Sequence, residues 1–203
     1  MKDLHDFIES GILEMYVTGN VSPEESQEVE RMALSFPEIG DQIREISLAL
    51  EIYAHSHAIE PHPASKPFVL ATIDYAGRMA AGEKPVFPPV LNEYSTYLQY
   101  AEYIEGKELA IGHDFTGIAA SIIGYTPSLT TAIVWLKDVE ISEIHSHEIE
   151  KFLILDGTCS ITISGKAHHL APGDFLTVPV DSYHTVKITS EVPCKAILQR
   201  QAC

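Results

Sequence analysis

Two textures share this chain, and the second limits its fold most. From residue 107 to 200 the sequence runs in short stretches of Ile, Val, Thr and Leu, each soon broken by Gly, Pro or Asp. Apolar runs this short, closed off this often, read as the strands of an all-β sandwich or barrel. Residues 1–60 carry apolar side chains at helical spacing instead. Between them, residues 61–92 are punctuated by Pro61, Pro63, Pro67, Pro85, Pro88 and Pro89. The 203 residues therefore read as α+β overall. A small all-α module (1–60) leads through a proline-rich joint with a possible short helix (61–106) to an all-β domain (107–203).

The helical module can be read in some detail. Leu4, Ile8, Ile12 and Met15 share one stripe over 3–18, and Gly19-Asn20 ends it. Ser22-Pro23-Glu24-Glu25 predicts a helix start, because Ser22 can cap, Pro23 fits the first turn and Glu25 can close a capping box. That helix runs to about Ser35 and buries Val29, Met32 and Phe36. A third begins near Pro37, with Ile39, Ile43, Ile46, Leu50 and Tyr53 on one stripe. A weaker helix is expected over 66–80, and a tyrosine-rich helix or strand over 94–105. His55 and His57 follow the third helix and read as solvated loop residues.

Charge narrows the function. The formal net charge is −16, shared by the two halves: 15 acidic and 6 basic residues over 1–92, 14 and 7 over 93–203. Nucleic-acid binding needs a Lys/Arg surface, which this chain lacks, whereas a basic protein partner suits it. Residues 1–10 carry three acidic side chains and no apolar core of a signal segment, so a cytoplasmic location is expected. Cys159, Cys194 and Cys203 form no spaced framework and read as free thiols.

The β half carries candidate chemistry in two runs. In Glu143-Ile-His145-Ser-His147-Glu-Ile-Glu150, two histidines two apart on a strand point the same way, because strand side chains alternate, and so can grip one metal ion together. Glu150 could add a carboxylate, with Glu148 as its competitor. Asp156-Gly157 marks a turn. In the second run Gly173 and Pro179 bracket a strand, and His184 follows another turn. Spacing and order here resemble the paired motifs of the cupin superfamily. His145, His147, Glu150 and Gly157 stand at the first motif, and Gly173, Pro179 and His184 at the second. The turn between His147 and Glu150 is shorter than the family pattern, and Asp181 stands where the family has a second-motif Gly. The resemblance implies a jelly-roll barrel, the double-stranded β-helix, over 107–203. It also implies one divalent metal held by His145, His147, Glu150 and His184. Three imidazoles and a carboxylate suit Zn, Fe, Mn or Ni alike. Trp135, Phe152 and Tyr183 read as barrel lining and core. His113, His168 and His169 have no visible role in such a site.

The stretch 13–39 resembles the helical domain of group IV (extracytoplasmic-function) anti-sigma factors. Members with a zinc site carry a His-x3-Cys-x2-Cys pattern that falls here on Met32, Phe36 and Ile39. The resemblance implies a metal-free version in which these three apolar residues replace the zinc cluster, and it makes them the candidate partner-binding residues. A helical module of this kind joined to a cupin resembles the two-domain cupin anti-sigma factors of stress response. That architecture implies a sigma factor as partner, a small-molecule ligand or oxidant at the cupin site, and transcription regulation as the role. A homodimer is the usual cupin expectation. The rival class is a metal-dependent cupin enzyme of dioxygenase or isomerase type. Arg200, near the chain end, is the one arginine of the β half, which argues against an enzyme that anchors 2-oxoglutarate.

Overall fold

The computed structural model describes residues 4–112 and 114–203, so His113 and the start of the first expected helix lie outside the described residues. The chain divides into two compact units, Met1–Glu60 and Pro61–Cys203.

The first unit holds α1 (Leu4–Ile8), α2 (Ile12–Val17), α3 (Pro23–Ser35) and α4 (Pro37–Ser56). The single helix expected over 3–18 is two. Gly11 adopts φ 78°, a left-handed conformation open to glycine, and the chain turns there. At α3 the capping box forms as the sequence predicts. The Glu25 amide donates to Ser22 Oγ (3.2 Å), and the Ser22 amide donates to Glu25 Oε2 (2.8 Å). Phe36 ends that helix in an extended conformation, φ −134° and ψ 104°, because Pro37 behind it disfavours the helical one. Phe7, Leu13, Val29 and Ile39 are fully buried, and Met32, Ile43 and Ile46 pack against them. The α4 stripe leaves this core towards its C-terminal end, where Leu50 and Tyr53 are exposed.

The second unit opens with α5 (Ser65–Ala80) and α6 (Tyr97–Ile104), so the expected joint contains two helices. Among the described residues nine antiparallel strands follow: β1 (Gly117–Thr126), β2 (Leu129–Lys137), β3 (Glu140–Glu143), β4 (Glu148–Asp156), β5 (Cys159–Ile163), β6 (Lys166–Leu170), β7 (Phe175–Val178), β8 (His184–Ile188) and β9 (Cys194–Ala202). They form one sheet in the order β1-β2-β9-β4-β7 and another in the order β3-β8-β5-β6. The fold is α+β, with the strands in a cupin-like jelly roll.

Strand alternation divides the apolar residues between two cores. Ile122, Val134, Phe152, Ile154, Ala196 and Leu198 face inward and meet Ile141, Ile161 and Val186 of the smaller sheet. Phe68, Ala71 and Tyr75 of α5 join this interior. The alternate residues Ile123, Ile133, Trp135, Leu153 and Ile197 face outward and are covered by Leu91, Tyr100 and Ile104. Buried Gln199 ties that covering segment down. Its side chain accepts from the Leu91 amide (2.7 Å) and donates to the Pro89 carbonyl (2.8 Å). Trp135 thus lies in the core, on the outer face of the larger sheet. Tyr183 is 58% exposed and lies outside the buried cores.

Two motif positions owe their residues to backbone geometry. Gly157 has φ 66°, and a Cβ there would stand 2.7 Å from the Pro193 carbonyl oxygen. Asp181 has φ 55°, so it takes up the left-handed turn for which the family pattern uses glycine.

Candidate metal centre

Two register pairs build the site. In the larger sheet, Glu150 of β4 stands opposite Arg200 of β9, and both lie on the inward face that continues through Phe152 and Leu198. In the smaller sheet, Glu143 of β3 stands opposite His184 of β8. Closure of the barrel brings the pairs together. His184 Nε2 lies 3.1 Å from Glu150 Oε2, a bond between the sheets in which both side chains are almost wholly buried. Arg200 joins the carboxylates. Its Nε donates to Glu150 Oε1 (2.9 Å) and its Nη2 to Glu143 Oε2 (3.1 Å).

His145 arrives from a loop. The chain leaves β3 at Glu143 and rejoins a strand only at Glu148, so the alternation assumed for His145 and His147 does not operate there. The His145 carbonyl accepts from the Asp181 amide (2.8 Å), which fixes the loop against the turn before β8. Its ring then reaches the cluster, with Nε2 2.9 Å from Glu143 Oε2 and 3.7 Å from Glu150 Oε1. His147 is exposed on the same loop, and its backbone carbonyl accepts from the Cys203 amide (3.0 Å). Ligand atoms of Glu143, His145, Glu150 and His184 all lie within 4.8 Å of one another. Of the four residues named from the sequence, the structure brings together His145, Glu150 and His184. Glu143 completes the group in place of His147, and Glu148 stays outside it.

Glu143 and Arg200 escaped the sequence reading. Glu143 was visible as an acidic residue two before His145. Arg200 gave no local signal, because only the β4–β9 register aligns it with Glu150. His62 also borders the site, with Nδ1 3.5 Å from Glu143 Oε1.

The electrostatics suit a cation. Burial works to raise the Glu150 pKa, but hydrogen bonds from His145 and His184 and the Arg200 charge outweigh it, so the carboxyl is held well below its usual range. The Glu150 carboxylate pushes His145 up against the opposing effect of burial. Burial likewise lowers His184, but the hydrogen bonds to Glu150 and the Ser182 carbonyl and the charges of Glu150 and Glu143 together outweigh it, leaving its pKa raised. With neutral imidazoles, two carboxylates and one guanidinium leave the cluster one negative charge. Two imidazole nitrogens and two carboxylates form a donor set that fits Zn, Fe, Mn or Ni, so these residues fit a divalent metal. His184 is oriented by its other nitrogen, 3.2 Å from the Ser182 carbonyl oxygen, as metal-binding imidazoles commonly are.

Residues 136–199 match the family described as Cupin domain. This match supports the cupin superfamily for the second unit. Among solved structures, the chain is similar to the cupin domain of Cnp3 from Schizosaccharomyces pombe, at 18% identity and TM-score 0.39 over 43% of this chain and 64% of that one. It is also similar to KdgF from Halomonas, at 18% identity and TM-score 0.39 over 42% and 80%. A third likeness is to the SPY1581 protein of unknown function from Streptococcus pyogenes, at 16% identity and TM-score 0.42 over 60% and 97%. No curated protein matches the chain. Among the described residues no helix is long and apolar enough to cross a membrane.

The space enclosed next to the cluster is small. The cavity beside Glu143, Glu150 and Arg200 has a volume of about 30 Å³, and Phe68 and Ala64 help to wall it. That is room for an ion or a water, whereas pockets for organic ligands run to roughly 300–1,000 Å³. A hollow of about 330 Å³ opens on the same cluster, lined by His62, Ser142, Glu143, His145 and Arg200.

Proposed function

We propose that the protein is a metal-binding cupin regulator: its helical unit sequesters a sigma factor, and its barrel senses a stress signal at the metal centre. Glu143, His145, Glu150 and His184 hold the ion. The observation that carries this reading is the size of the interior cavity. The enclosed space beside Glu143, Glu150 and Arg200 suits an ion, and an ion with an open hollow at its side suits the sensing of a small signal molecule. A second feature supports the partner. Residues 1–60 hold 13 acidic residues against 3 basic ones, net −10. On α4 of that unit Leu48, Ile52 and Tyr53 are 55%, 61% and 63% exposed. An acidic surface with apolar anchors fits a basic helical protein such as a sigma factor. Of the three residues first named for that role, Ile39 is fully buried and Met32 packs on the core, so both tie the helices together. Phe36, 37% exposed, stays accessible.

The test is affinity capture of the tagged protein from its native cytoplasm, with mass spectrometry and elemental analysis of the same eluate. A near-stoichiometric sigma factor, lost when Leu48, Ile52 and Tyr53 become Ser while helical circular dichroism persists, is the expected result. The hollow beside His145 favours one alternative, a metal-dependent enzyme acting on a small molecule there. Bound metal without a protein partner, together with oxygen-dependent turnover, would establish that alternative and refute the regulator.

A further inference from the structure

We propose that Arg200 is the internal counter-cation of this site: its guanidinium holds the two carboxylates while the metal is absent, and an incoming divalent ion must displace it. The inference rests on the reading that Glu143, His145, Glu150 and His184 take a metal. It concerns what regulates that binding.

The geometry is specific about which oxygens are taken. Glu150 Oε1 and Glu143 Oε2 are the carboxylate oxygens that face His145 Nε2, at 3.7 and 2.9 Å. These same two atoms accept from Arg200 Nε and Nη2. A cation held by His145 and these two oxygens competes for the lone pairs that the guanidinium now occupies. One carboxylate oxygen can accept two bonds, but two cations against one oxygen repel each other across a buried, weakly screened gap.

Arg200 also has somewhere to go. Its guanidinium lies over the ring of Phe68, 4.7 Å from the centroid, a contact available to any cation near an aromatic face. It borders a hollow of about 370 Å³ that is also lined by Glu148, Thr72 and Tyr75. Glu148 stands two residues before Glu150 on the same face of β4 and already acts on the Arg200 charge. A swing from Glu143 and Glu150 towards Glu148 keeps the guanidinium paired. Metal occupancy thus becomes a choice between two positions of one side chain that touches α5.

The alternative role for such an arginine is to orient the ligating carboxylates, and it predicts the opposite sign. Residues that support ligands in this way commonly cost about 10- to 100-fold in metal affinity when removed. The experiment titrates Co²⁺ into the full chain and its variants, read by cobalt absorbance and by melting temperature. Arg200→Met is expected to bind Co²⁺ about tenfold or more tightly than the wild type, as a charge-assisted pair no longer competes. Its metal-free form should melt lower, and its rise on adding Co²⁺ should be larger. Arg200→Lys, which keeps the charge without the fork, should fall between. Equal or weaker Co²⁺ binding by both variants overturns the inference and leaves the metal centre standing. No Co²⁺ binding by the wild type overturns both. One measurement needs no variant. The Arg200 Nε–H resonance should be protected from exchange in the metal-free wild type and lose that protection on loading with Zn²⁺. Protection that persists unchanged overturns the displacement.

Discussion

Glu150→Gln tests the construction of the centre directly. The wild-type carboxylate is 2% exposed and bonds His184 and Arg200 at 3.1 and 2.9 Å, with His145 at 3.7 Å. The amide keeps the shape and removes the charge. Breaking one side of a buried ion pair costs about 3–5 kcal/mol. Arg200 keeps its bond to Glu143 and is 22% exposed, so the low end applies, about 3 kcal/mol. With a urea slope near 2 kcal/mol/M, the unfolding midpoint should fall by about 1.5 M. Trp135 makes the assay clean. It is the chain's one tryptophan, it is 6% exposed, and it lies in the second unit, so its fluorescence reports the barrel. The titration is run with a chelator present. Arg200→Met should cost a similar amount, and the double variant about 2 kcal/mol less than the sum, because residues in one network couple by about 0.5–3 kcal/mol. A loss under about 1 kcal/mol for Glu150→Gln, or additive costs in the double variant, would refute the shared buried network.

Three further outcomes follow from the same geometry. His145 and His184 have raised pKa values, so their stabilisation of the metal-free barrel is complete below the ordinary histidine value of 6.5 and is lost as pH rises through the raised values. Metal affinity should run the other way and weaken on acidification, since protons and metal compete for the same nitrogens. Chelated and Zn²⁺-loaded melting curves between pH 6 and 9 should diverge, and parallel curves would count against these histidines as ligands. Gly157→Ala sets a Cβ 2.7 Å from the Pro193 carbonyl oxygen at a positive φ and should cost about 2 kcal/mol or more by Trp135 fluorescence. Ile39→Ala empties a fully buried position and should cost the helical unit about 3 kcal/mol, seen as faster hydrogen exchange over 23–56.

Much of the fold was legible because its signals are local. The capping box at Ser22 and Glu25 forms, and Pro37 starts α4. The break at Gly11 was missed because an unbroken apolar stripe spans it. Only the backbone shows that the glycine turns left-handed there. His147 lies outside the cluster for a related reason. Two histidines two apart share a face on a strand, but this pair sits in the loop between β3 and β4.

What the sequence determined by itself was periodicity, punctuation and the inventory of donors. Helical spacing then strand spacing made the chain α+β, and turn residues located the second motif with His184. What only the tertiary structure decided was which donors meet. Glu143 and Arg200 entered the centre because β3 pairs with β8 and β4 with β9, in registers that set Glu143 opposite His184 and Glu150 opposite Arg200. Register is a long-range property: a shift of one residue turns every side chain to the other face of its sheet. Residues 150 and 200 carry no local mark of their partnership, so it exists only once the barrel has closed.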